Sequence, residues 1–237
     1  MTATPVNTSG PGRDDDSTVL PGLLGYDRSN GAPVWLPRRS LLIAGGTPTG
    51  KTVVAARLAQ AAMERGERCW AAGLVPTYGV APDRNVPAAD APGMIADVLD
   101  GVAGGRVEPG SPLTLIVDEA LGLDGATLDR LRRLAELGPA AGVTLIVTTR
   151  WPQRLPAELV ASVPDRLVLW FPIDPESRVA AGWLEGAASA RQVEGLAGFD
   201  GFLRLGGTVA PIHLLPLPES GVMSVARGTD RSIARAR

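Results

Sequence analysis

The octapeptide Gly45-Gly46-Thr47-Pro48-Thr49-Gly50-Lys51-Thr52 fits the pattern G-x-x-x-x-G-K-[ST]. No other stretch constrains the chain as strongly, because the pattern demands a strand before it and a helix after it. Chance alone gives about 0.002 matches at this chain's Gly, Lys and Ser/Thr frequencies. The flanks agree. Ser40–Ala44 is a short apolar run, and Thr52–Arg65 places Val54, Leu58, Ala61 and Ala62 at helical spacing. In such a loop, glycines let backbone N–H groups turn inward around a phosphate chain, and the helix N-terminus adds partial positive charge. The pattern assigns Gly45 to Thr52 to nucleotide binding, Lys51 to the β- and γ-phosphates of ATP, and the Thr52 hydroxyl to Mg²⁺.

Composition sharpens the point. The 23 basic residues comprise 22 Arg and a single Lys, and that Lys is Lys51. A compact ammonium on a flexible stem is not replaced by a planar guanidinium. The one histidine, His213, excludes a two-histidine metal centre, and the one cysteine, Cys69, excludes an intramolecular disulfide. His213, within an apolar run, and Cys69, beside Trp70, read as structural residues; Trp151, Trp170 and Trp183 read as packing residues. A net charge of −2 and a pI near 5.5 argue against a generally basic nucleic-acid coat. No apolar run approaches the ~20 residues that span a bilayer, and the N-terminus lacks a leader pattern, so a cytoplasmic protein without membrane insertion is expected.

Along the chain, apolar runs alternate with helical patterns. Arg68–Leu74, Leu113–Val117, Val143–Thr148 and Arg166–Phe171 read as strands. Met94–Val102, residues 125–137 capped by Asp124, Pro156–Ser162 and Glu176–Glu185 read as helices. In the helix after Asp124, Leu128, Leu131, Leu134 and Leu137 are expected to face inward. Residues 77–89 read as irregular, and Gly201–Leu205 with Val209–Leu215 as a hairpin around Gly206-Gly207. Runs apolar on both faces imply a covered, mainly parallel sheet and an α/β class with helices on both faces. Residues 1–20, with Asp14-Asp15-Asp16, read as a disordered tail. Residues 21–217 form the expected domain, and 218–237 read as a flexible basic tail.

The run Leu113–Val117 delivers Asp118 and Glu119 at its C-terminal end. A carboxylate there lies in the crevice beside the phosphate loop. Asp118 suits Mg²⁺, and the adjacent Glu119 suits a base that polarises water, a role worth ~10²–10⁴-fold in rate. Val147-Thr148-Thr149-Arg150 ends the next strand with side chains able to reach the γ-phosphate.

These blocks resemble the FtsK/HerA family of DNA-pumping ATPases, including the FtsK-like proteins of plasmid transfer. Gly25–Val34 is similar to the family's G-x-D-x-x-G-x-P-v lead-in, with one extra residue. LLIAGGTPTGKT, Asp118-Glu119, PAAGVTLIVTTRWP over Pro139–Pro152, and the block Val163–Trp183 follow in family order; Gly201–Leu205 matches the tail loosely. The resemblance covers roughly residues 22–216. It implies a RecA-like P-loop core, a homo-oligomeric hexameric ring around double-stranded DNA, and an arginine completing a neighbour's site. Arg178 and Arg166 stand where the family carries arginine. The motif glutamine, a sensor of the nucleotide, is read at Thr149. The alternatives from the residues are an ATPase acting on a protein partner, and an assembly module that binds ATP without turnover.

Overall fold

The computed structural model describes residues 22–35, 38–75, 79–107, 111–120, 122–172 and 175–216. The two tails expected at 1–20 and 218–237 lie outside the described residues.

Among the described residues ten strands form one mixed sheet: β1 Leu23–Asp27, β2 Pro33–Trp35, β3 Leu41–Ala44, β4 Arg68–Ala72, β5 Arg84–Val86, β6 Leu113–Val117, β7 Val143–Thr149, β8 Asp165–Leu169, β9 Asp200–Leu205 and β10 Thr208–Leu214. Their order is β2-β1-β10-β9-β8-β3-β7-β6-β4-β5. From β8 to β5 every pairing is parallel; from β2 to β8 every pairing is antiparallel.

The helices are α1 Lys51–Glu64, α2 Ala91–Ala103, α3 Gly125–Leu137, α4 Ala157–Ser162, α5 Glu176–Gly182 and α6 Ala190–Glu194. Two cores result from strand alternation. Leu41 and Ile43 of β3 pack with Val54, Leu58 and the alanines of α1 on one face. Leu42 and Ala44 pack on the other face with side chains of α2, α3 and α5. Helices on both faces explain why β3 is apolar at every position and β6 at every position but Thr114. Ala55, Ala56, Ala59 and Ala62 are fully or almost fully buried, so α1 lies close against the sheet.

Two expectations are corrected. Leu137 is 45% exposed, because it is the last residue of α3 and lies beyond the helix's contact with the core. The stretch read as irregular contains β5, a short parallel edge strand on β4. The lead-in around Gly25 forms strands β1 and β2, and β1 pairs with β10 from the far end of the chain. Arg57 fixes that meeting: buried in α1, it donates to Leu23 O at 2.9 Å and Pro216 O at 2.8 Å. The expected hairpin near Gly206-Gly207 is present as β9–β10.

Candidate nucleotide site

β3 runs between β7 and β8, and the P-loop leaves its C-terminal end. Gly50 caps α1 at φ +85°, a left-handed conformation that costs glycine little. Gly45 is required by space: a Cβ there would come within 2.5 Å of Thr49 Oγ1 and 2.9 Å of Leu169 Cβ. The Thr47–Pro48 peptide bond is cis.

Lys51 folds over its own loop. Its Nζ donates to Gly45 O at 2.8 Å and Gly46 O at 2.9 Å, and the residue is 9% exposed. Burial pushes its pKa below the ordinary lysine value, against the pull of Glu119 and Asp118; Arg150 adds to the lowering. A buried cation on neutral carbonyls is a favourable place for an anion.

Asp118 leaves the end of β6, separated from β3 by β7 alone. Its Oδ2 accepts from Thr52 Oγ1 at 2.8 Å, and its Oδ1 accepts from Thr148 Oγ1 at 2.7 Å. The same Thr148 oxygen accepts the Glu119 N–H at 2.8 Å. Ala120 N–H continues the clip onto Thr148 O at 2.9 Å. Glu119 itself sits at φ +61°, an uncommon conformation for a side chain with a Cβ, and the Thr148 clip holds it there. With Ala72, Ala88, Val117 and Leu123, both acids line a cleft at the C-terminal edge of the sheet.

The donor set fits MgATP. Thr52 and Asp118 offer one hydroxyl and one carboxylate, the hard oxygens that Mg²⁺ takes. Among the described residues no group of three or more His, Cys, Asp or Glu could hold a metal by itself. Mg²⁺ suits this arrangement, because it keeps waters and takes phosphate oxygens.

The remaining candidates separate. Thr149, read as the sensor, is 1% exposed, and its Oγ1 accepts the Trp151 N–H at 3.0 Å. The hydroxyl that contacts the acidic pair belongs to Thr148. The register shows why: Val117 pairs with Val147, so Asp118 stands beside Thr148. That register could be read from strand ends only once β6 and β7 are known to be neighbours. Arg150, which ends the stretch expected to reach the γ-phosphate, also approaches the acids. Its guanidinium Nε lies 3.7 Å from Glu119 Oε2. Arg178 is exposed on α5. Arg166 is 8% exposed and donates to the carbonyls of Val160, Val163 and Trp183, so it binds α4 and the end of α5 within its own chain. Cys69 is buried, as expected. His213 is an exposed residue, and its Nδ1 lies 2.8 Å from Asp200 Oδ1. Trp183 is buried, and Trp170 Nε1 donates to Glu194 O at 3.0 Å.

No family model and no curated protein sequence matches the chain. Solved structures do. The pCW3 conjugation coupling protein TcpA, in its monomer form with ATPγS, aligns at a TM-score of 0.64 and 15% identity, covering 89% of this chain and 70% of that one. The likeness is one of fold. The cytoplasmic domain of the Thermomonospora curvata type VII secretion ATPase EccC aligns at 0.58 with 15% identity, over 84% of this chain and 26% of that one. The genome packaging NTPase B204 of Sulfolobus turreted icosahedral virus 2, in complex with AMPPCP, aligns at 0.57 with 14% identity, over 76% of this chain and 100% of that one. Among the described residues no helix is long and apolar enough to cross a membrane.

Proposed function

We propose that the chain is an ATPase that binds ATP with Mg²⁺ and couples hydrolysis to movement of double-stranded DNA. The observation that supports this most is the hydrogen-bonded clip of Thr52, Asp118, Thr148 and Glu119 beside the P-loop. The P-loop amides and Lys51 hold the phosphate chain of the substrate. Mg²⁺, held by Thr52 and Asp118, would supply neutralisation of charge on the phosphate oxygens. Glu119 orients the attacking water and takes its proton. The ATPase unit is residues 21–217, working as a ring of like subunits. In the ring, Arg178 of one subunit completes the site of the next, a contribution worth ~10³–10⁵ in rate.

The test is ATP hydrolysis with and without long duplex DNA at low salt, where phosphate contacts are strongest. Strong stimulation by DNA is the expected result. Glu119→Gln is expected to keep ATP binding and lose most turnover; unchanged turnover would remove Glu119 as the base. A second reading is favoured by the similarity to EccC, one structure of which is a complex with a signal sequence peptide. In that reading the partner is a protein, and hydrolysis is indifferent to DNA. ATP binding with no turnover under either condition would favour an assembly module.

A further inference from the structure

The Glu119 carboxylate is held from outside the Thr148 clip. Its Oε1 accepts the Arg150 N–H at 3.4 Å, and its Oε2 lies 3.7 Å from Arg150 Nε. The two side chains are 32% and 45% exposed. An ion pair so open to water contributes little and is weak enough to be exchanged for a better partner.

A better partner would bind next door. β7 ends at Thr149, whose carbonyl accepts the N–H of Gly45, the first glycine of the P-loop, at 3.2 Å. Arg150 is the next residue. It lines a cleft with Gly46 and Thr47 of the P-loop, Trp151, Phe171 and Pro172. Its charge also reaches Lys51. Arg150 therefore stands between the phosphate loop and Glu119, a guanidinium with a carboxylate on one side and an anion-binding loop on the other. A phosphoryl group matches the guanidinium fork better than a loosely placed carboxylate does.

We infer that Arg150 is the positioning residue that reports the terminal phosphate: it holds Glu119 in the nucleotide-free chain and exchanges it for that phosphate when a triphosphate binds. The exchange frees Glu119 for the water. A diphosphate lacks the group that draws Arg150 away, so Glu119 stays held. Thr149, almost fully buried, accepts the Trp151 N–H instead of meeting Glu119. The inference rests on the ATP reading of the site.

The test is calorimetric titration of the full chain with a non-hydrolysable ATP analogue and, separately, with ADP, both with Mg²⁺. Arg150→Ala is expected to weaken the analogue about tenfold, the scale of one charge-assisted contact, and to leave ADP within about twofold. Arg150→Lys restores part of that preference. Glu119→Ala is expected to tighten the analogue several-fold when Arg150 is present. The double variant is expected to lose that tightening. Equal effects of Arg150→Ala on both nucleotides, or no effect on either, would overturn the inference. Tightening by Glu119→Ala that persists without Arg150 would overturn it as well. Failure of the folded wild-type chain to bind either nucleotide would instead remove the P-loop reading, and the inference with it. Both side chains are partly exposed, and circular dichroism of each variant confirms that the fold is kept.

Discussion

Thr148 Oγ1 donates to Asp118 Oδ1 at 2.7 Å and accepts the Glu119 N–H at 2.8 Å. One fully buried hydroxyl thus ties the Asp118 carboxylate to the Glu119 backbone. Thr148→Val keeps the shape but leaves the Glu119 N–H without its acceptor, a change expected to cost about 1–3 kcal/mol of stability. Glu119 also loses the clip that fixes its positive φ. Turnover is expected to fall at least ~10-fold, with nucleotide affinity changed less. Denaturant titration and steady-state kinetics check both. An unaltered kcat in a destabilised variant would make Thr148 structural only.

Far from the P-loop, Glu67 carries a buried charge at the start of β4. It accepts from Thr114 Oγ1 at 2.8 Å and from Arg65 Nε at 2.6 Å, and it also pairs with Arg38. Burial acts to raise its pKa, but the bonds from Arg65, Thr114 and Arg38 prevail and hold it below the ordinary value. A carboxylate with a depressed folded-state pKa adds stability that is full above its unfolded value. That stability is lost as pH falls through the folded value. Glu67→Gln is expected to lose about 1–3 kcal/mol at neutral pH and to flatten the acid limb of the stability curve. Thermal melts of both proteins between neutral and acid pH decide it; parallel curves would show that another group drives the acid limb.

Burial, with Asp83 and Glu67 nearby, raises the Cys69 thiol to about 12. The folded protein therefore keeps this proton where the unfolded chain begins to lose it, and stability from this group declines as pH rises past the unfolded value. Alkylation at mildly alkaline pH is expected to fail on the native chain and to go to one equivalent in denaturant. Rapid labelling of the native protein would show that β4 opens locally.

Arg166 and Arg178 separate by experiment. Arg166→Met removes bonds to the carbonyls of Trp183 at 2.9 Å and Val160 at 3.0 Å. It is expected to destabilise the chain by about 2–3 kcal/mol, because charged hydrogen bonds inside the fold are lost. Arg178→Ala, on the exposed side of α5, is expected to cost less stability and to lower turnover only where subunits assemble. Activity measured against protein concentration separates the two effects. Loss of activity by Arg178→Ala at every concentration in equal proportion would argue against a role between subunits.

The sequence by itself determined what depends on neighbours along the chain. Glycines, Lys51 and Thr52 specify a loop whose backbone can wrap an anion. Apolar runs specify the central parallel strands β3, β6 and β7, though not the edge strand β5, and Asp124 announces α3 by accepting from Thr127 N–H at 2.7 Å. Asp118 and Glu119 were legible because they end such a run. Tertiary structure decided everything that depends on which strand lies beside which. The β6–β7 register gives Asp118 to Thr148 rather than Thr149, since side chains alternate with a period of two and adjacent threonines point to opposite faces. The pairing of β1 with β10 joins segments nearly two hundred residues apart, which no local pattern encodes. Arg166 and Arg150 look alike as letters. One is buried under carbonyls of its own chain and the other stands between a carboxylate and the phosphate loop, because only the packed fold sets what surrounds a charge.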